Sequence, residues 1–335
     1  MRPVIKAACA AAVAAAVLTA CSAKPTAAGG SKSAGRSGRH FVIDISGPLS
    51  DPFFGATKQG SDAAAKELGV KYEYSASKDA NDIIAVYTRL MESAIGRKPD
   101  AIVVGDYFPD ALNPLIKKAT AAGIPVVVTN SGRASWRALG AVGYVGEDPV
   151  AMGMVAGTAQ AKAGVKKGLC VNQVPGNPVL EQRCKGYEKG LKAVGGSVVN
   201  LTIPSEDANN DQKVQQDIAG ALRSHRDVDG VFTLGSAIAM DAVTAAKQSG
   251  RKLTIGTTDL STNDLNAVKS GDLLFVIDQQ PFLQGYYGLL IAEQYLKYKV
   301  APTSEISTGP YLITKDNVDT VLKVGSTYPG SRGAN

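Results

Sequence analysis

Polar and aromatic side chains stand directly after several short apolar runs of this 335-residue chain. "HFVIDIS" is followed by "GPLSDPFFGATKQG", where Asp51 stands just ahead of two adjacent rings, Phe53 and Phe54. Asp106 follows "IVVG", Asn130 and Ser131 follow "VVVT", Ser236 follows "VFTLG", and Asp259 follows "TIGTT". Together they offer carboxylates, amides, hydroxyls and ring faces. Carboxylates and amides pair with hydroxyl edges, and rings cover C–H faces. Those are the two surfaces that a sugar or polyol presents. The set holds no nucleophile–base pair, no metal-ligand cluster and no Gly-rich phosphate cradle. Neither G-x-S-x-G nor G-x-x-x-x-G-K-[ST] occurs. Of the two histidines, His40 falls in an N-terminal tether and His225 in "LRSHRDVDG", a solvated helix end. The residues therefore predict binding without catalysis, cofactor or metal, with at least one of the two rings against the ligand.

These side chains need a scaffold that gathers the ends of many strands. Runs rich in β-branched residues, such as "KYEYSA", "AIVVGD", "IPVVVTN", "AVGYVG", "GLCVNQ", "SVVNLTI", "KLTIGTTD", "LLFVIDQ" and "GPYLIT", alternate with helical patterns such as "GSDAAAKELG" and "DALNPLIKKATAAG" closed by Gly. Alternating β and α predicts an α/β fold, a mostly parallel sheet covered by helices. In such sheets ligands bind outside the carboxyl ends of the strands. The chain also repeats itself. Asp100–Asn130 and Asp229–Asp259 each run strand, turn, helix, Gly, strand over 31 residues. Two copies so far apart point to two similar lobes rather than one large sheet, and the length suits two domains.

The net charge of +6 does not mark a nucleic-acid binder. All six excess bases lie in residues 1–40, leaving 30 basic and 30 acidic residues from Phe41 onward. "MRPVIK" and the 12-residue apolar run "AACAAAVAAAVL" read as a signal peptide over residues 1–20, too short to span a bilayer. "LTAC" after it resembles the lipobox of bacterial lipoproteins, which implies cleavage before Cys21 and lipid on its thiol. The Ser/Gly/Lys-rich stretch up to residue 40 reads as a flexible tether. Beyond it Cys170 and Cys184 remain, an even pair in an oxidising compartment. A disulfide between them is expected, with two buried thiols as the alternative.

"SDPFFGATKQGSDAAAKELG", "PDALNPLIKKATAAGIPVVVTN", "GNPVLEQRCKGYEKGLKAVGG", "TIGTTDLSTNDLNAVKSG" and "VIDQQPFLQGYYG" resemble, in order, the ribose-type sugar-binding proteins of bacterial ABC importers. The resemblance implies two α/β lobes joined by three crossings near Gly146, Asp278 and Ser307, the type I periplasmic binding protein fold. One lobe would hold residues 41–146 and 279–307, the other 147–278 and 308–335. It implies ligand contacts from Asp51, Phe53, Phe54 and Asp106 (Gly105 in the alternative register), and from Ser236, Asp259 and the hinge glutamine Gln279. Glu181 of "NPVLEQR" stands where ribose binders have an arginine. Asn130 and Ser131 replace their Asp-Arg pair, which puts ribose itself in doubt. The implied protein is a lipid-anchored monomer on the outer face of the plasma membrane. It would bind a small neutral sugar or polyol, with an ABC permease as partner and no nucleic acid. A LacI-type regulator would need a helix-turn-helix where the signal peptide stands. A sensor that presents a signalling sugar to a membrane receptor is the alternative that uses the same cleft.

Overall fold

The computed structural model describes residues 39–76, 82–204 and 206–334. The signal peptide, Cys21 and the tether up to Gly38 lie outside the described residues. His40 belongs to the body rather than to a tether: its Nδ1 pairs with Glu293 Oε2 at 2.8 Å, and its carbonyl accepts from Lys71 N.

Each apolar run forms a strand. β1 (Phe41–Ser46), β2 (Lys71–Ala76), β3 (Ala101–Gly105), β4 (Val126–Asn130) and β5 (Gly143–Gly146) build a first sheet; β6 (Lys167–Asn172), β7 (Ser197–Thr202), β8 (Gly230–Thr233), β9 (Thr254–Thr258) and β10 (Phe275–Asp278) build a second. The strand orders are β11-β5-β4-β3-β1-β2 and β12-β10-β9-β8-β6-β7, the edge strands β11 (Ile306–Ser307) and β12 (Tyr311–Ile313) taking equivalent places. The two-residue β11 had no apolar run to announce it. Pairing is parallel except between β10 and β12. The two sequence repeats occupy matching positions, β3 to β4 in one sheet and β8 to β9 in the other. The fold is thus α/β, with two parallel-sheet lobes of one topology.

Local sequence starts the helices. α1 (Pro52–Leu68), α4 (Pro149–Lys162) and α5 (Pro178–Lys192) each begin with Pro behind Asp51, Asp148 or Asn177, whose side chains accept from the first free N–H groups. α9 (Pro281–Tyr298) also begins on Pro. Paired helices touch backbone to backbone in each lobe. A Cβ on Gly60 of α1 would stand 1.9 Å from Phe282 O of α9, and one on Gly186 of α5 would stand 2.2 Å from Val150 O of α4. Larger residues there would push the pairs apart.

The chain passes between the sheets at Glu147–Asp148, at Gln279–Gln280 and at Thr308–Pro310, so the carboxyl ends of both sheets face the same junction. The first sheet's core includes Ile43, Ile102, Val126 and the lone Trp136, which packs there rather than standing open to ligand. The second includes Val171, Val231, Ile255 and Val276. Cys170 on β6 and Cys184 on α5 form a disulfide, with Cα atoms 5.8 Å apart.

Candidate functional site

Asp51, Ser236 and Asp259 line one cavity of about 710 Å³ between the lobes, together with Gln173, Asp211 and Asp241. Asp51 comes from the first sheet's side and the others from the second. Among the described residues four aspartates and no Lys, Arg or His line it. Asp51 also caps α1, accepting from Phe53 N at 2.9 Å. Burial, and then the Asp259 carboxylate across the cavity, push its pKa up to about 6 against the pull of that N–H.

Asn130 and Asp259 stand at the ends of β4 and β9. Asn130 Nδ2 donates to Gln279 Oε1 at 3.3 Å and to Gln284 Oε1 at 3.1 Å, and Gln279 Nε2 donates to Asp259 Oδ1 at 2.5 Å. One amide in the second crossing therefore joins the two lobes' strand ends. Asn130 and Asp259 have left-handed backbone, φ +59° and +65°. Asn and Asp tolerate that region better than other non-Gly residues, and strain of this kind clusters at functional sites. Ser131 is buried beside Asn130, and its carbonyl accepts from Asp106 N at 3.1 Å. Asp106 is buried too. Its Oδ2 accepts from Ser135 at 2.8 Å while Oδ1 has no partner among the described residues, and burial raises its pKa.

The rings do not stand as open faces on this cavity. Helix position turns Phe53 and Phe54 into the first lobe, where they meet edge to face at 5.0 Å and Phe54 meets Tyr107 at 6.0 Å. Neither ring is among the cavity's lining residues. Glu181 is likewise elsewhere. It is exposed and lines a separate depression with Lys185 and Thr202. Residues two apart on a helix point to nearly opposite sides. Arg183 is the charged side chain of α5 that turns inward. Its Nε donates to Glu147 Oε1 at 2.7 Å, its Nη2 also pairs with that carboxylate, and its Nη1 lies 3.4 Å from Thr258 Oγ1, next to Asp259. Arg183 and Glu147 are both buried. Burial pushes the Glu147 and Asp259 carboxyls up, and the Arg183 charge pulls both down.

The sequence carried a signal for Arg183. Leu180, Cys184, Tyr187 and Leu191 mark the buried stripe of α5, and residue 183 lies on it while 181 does not.

A family model described as a periplasmic binding protein domain matches residues 45–299. The chain belongs to that family. Its members are extracytoplasmic binding proteins, not enzymes. Among curated proteins it is 28% identical over 313 residues to the xylitol-binding protein of Mycolicibacterium smegmatis, covering 91% of this chain and 84% of that one. It is 26% identical over 312 residues to the xylose/arabinose-binding protein of Sulfolobus acidocaldarius, covering 88% and 75%. A crystal structure of a carbohydrate transporter from Acidothermus cellulolyticus in complex with myo-inositol superposes with a TM-score of 0.79, at 32% identity, over 88% of this chain and 100% of the other. These likenesses agree with the two-lobe, type I periplasmic binding protein architecture. Among the described residues no helix is long and apolar enough to cross a membrane, and no group of His, Cys, Asp or Glu is placed to hold a metal ion.

Proposed function

We propose that the chain captures one small neutral sugar or polyol between its lobes and delivers it to an ABC permease without chemical change. The observation that carries this reading is the amide of Gln279, shared between Asn130 of one sheet and Asp259 of the other. A polyol entering there would exchange these protein–protein bonds for bonds to its own hydroxyls and so report its presence to both lobes at once. Asp51, Asp106, Asp259 and Ser236 supply further acceptors, and Arg183 supplies buried donors next to Asp259. Among the described residues the cavity lining carries carboxylates and no cation, and Arg183 is already paired with Glu147, so a phosphorylated sugar would meet uncompensated carboxylates. The lobes divide at the three crossings, into 41–146 with 279–307 and 147–278 with 308–335. The xylitol-binding and inositol-bound relatives support an uncharged polyol as one candidate ligand. The "LTAC" pattern supports a lipid on Cys21 that holds a monomer at the outer face of the plasma membrane.

A thermal-shift screen of myo-inositol, xylitol, ribose, arabinose, galactose and their phosphates tests the ligand class. Ligand at a hundredfold excess over Kd stabilises by about 2.7 kcal/mol. A response to an uncharged polyol or sugar is expected. A response only to a phosphate ester, or only to amino acids added as controls, would overturn the reading. Cys21→Ser is expected to move the protein from the membrane to the soluble fraction.

A further inference from the structure

We infer that the C-terminal segment, residues 328–334, is a strap between the lobes outside the three crossings, and that Arg332 within it is a positioning residue for Gln279. Beyond the last helix, α10 (Val318–Thr327), the chain turns twice. Ser331 N donates to Tyr328 O and Gly333 N to Gly330 O, with Gly330 and Gly333 at φ +77° and +75°. The turns lead it across to the first lobe. Gln59 Nε2 of α1 donates to Pro329 O at 3.2 Å. Gly333 presses on the start of the same helix, so that a Cβ there would lie 3.4 Å from Phe53 Cα and 3.5 Å from Pro281 Cγ of α9. The next residue returns to the second lobe, where Ala334 is buried with that lobe's core.

Arg332 fastens the strap at the hinge. Its Nη2 pairs with Asp278 Oδ2 at 2.5 Å, and its guanidinium lies 5.8 Å from the centre of the Tyr311 ring. Asp278 is 1% exposed, and its other oxygen accepts from Gln280 N at 2.6 Å. One carboxylate thus clamps the tail and the crossing together, and Gln279 stands between its two backbone neighbours. The Gln279 carbonyl accepts from Gln284 Nε2 at 3.3 Å, and its side chain reaches Asn130 and Asp259. Removing Arg332 leaves a buried carboxylate without its cation and frees the segment that aims Gln279. Any change of angle between the lobes must also slide or release the tail, because its contacts alternate between them.

This inference rests on reading the cleft as a site that opens and closes, but its test needs no sugar. Hydrogen–deuterium exchange on the full chain compares wild type, Arg332→Ala, Arg332→Lys and a chain ended after Thr327. Amides of residues 279–284 and 53–58 are expected to exchange at least about tenfold faster in Arg332→Ala and in the shortened chain, while those of β3 and β8 stay as in wild type. Arg332→Lys, which keeps the charge, is expected to restore most of the protection. Unchanged exchange at 279–284 in Arg332→Ala would overturn the inference. So would uniform acceleration in β3 and β8, or an Arg332→Lys chain as loose as Arg332→Ala. If the exchange result holds and no polyol binds, the strap stands and the ligand reading falls.

Discussion

Asn130 and Asp259 occupy the same place in two copies of one 31-residue unit, both in left-handed backbone, and Gln279 bonds to both. The copies match at their other ends too. Asp100 accepts from Phe41 N at 2.8 Å, and Asp229 accepts from Lys167 N at 2.8 Å, each fixing the start of the neighbouring strand. A duplicated unit therefore presents two polar strand ends to one hinge amide.

Gln279 is the residue whose loss should show most directly in binding. A hydrogen bond to a charged partner contributes about 1.5–3 kcal/mol, so Gln279→Ala is expected to weaken binding of the responding polyol about tenfold or more. Gln279→Glu should do worse near neutral pH, because it places a second carboxylate against Asp259. Calorimetry checks both, with circular dichroism to confirm the fold. Wild-type affinity in both variants would remove Gln279 from the site.

The strands, both lobes and the polar strand ends were legible in the sequence because apolar runs and turn residues are local signals. Three things were not. Phe53 and Phe54 read as ring faces, but Asp51 caps α1 and its first turn rolls them inward. Glu181 read as facing the cleft, but α5 turns Arg183 inward and Glu181 outward, and only the helical stripe separates the two sides. The tail's return to α1 depends on contacts between Gln59 and Pro329, 270 residues apart, which no local pattern encodes.

The Arg183–Glu147 pair is buried on both sides, so breaking it should cost more than a surface pair would. Glu147→Ala leaves a buried guanidinium without its partner, and the expected loss is about 3–5 kcal/mol of stability by urea unfolding. Replacing both residues by apolar ones of similar volume should recover much of that stability but not ligand binding. Stability within experimental error of wild type in Glu147→Ala would mean that Arg183 finds another partner, and the pair would lose its role in the site.

Asp51 gives a pH signature of definite sign. Its folded pKa of about 6 lies above the ordinary carboxyl value of 3.8, so the folded state holds the extra proton between the two. Stability from this group is therefore highest below about pH 4 and falls as pH rises through about 6, by at most about 3 kcal/mol. Asp51→Asn keeps a good N-cap and removes the titration. Relative to wild type it is expected to be neutral near pH 4 and stabilising near pH 7, in unfolding curves measured at both. A difference that does not change with pH would show that Asp51 does not titrate in this window.

Reduction of the Cys170–Cys184 bridge should act on binding as well as on stability. The bridge joins cysteines 14 positions apart, for which the loop-entropy model gives about 3 kcal/mol. It also ties the first turns of α5 to β6, and Arg183 is the residue next to Cys184. Loosening that turn lets the guanidinium drift from Thr258 and Glu147, and the buried carboxylates Glu147 and Asp259 lose part of the charge that offsets the rise burial causes in them. The Cys170→Ser, Cys184→Ser double variant is therefore expected to melt several degrees lower and to bind the responding polyol about three- to tenfold more weakly, through faster dissociation. Two other restraints oppose this effect: Gly153 and Gly186 seat α5 on α4, and Leu180, Tyr187 and Leu191 anchor it in the core. Paired thermal melts and calorimetry separate the two. A lower melting temperature with unchanged affinity would show that those contacts alone hold Arg183 in place, and the bridge would then serve stability only.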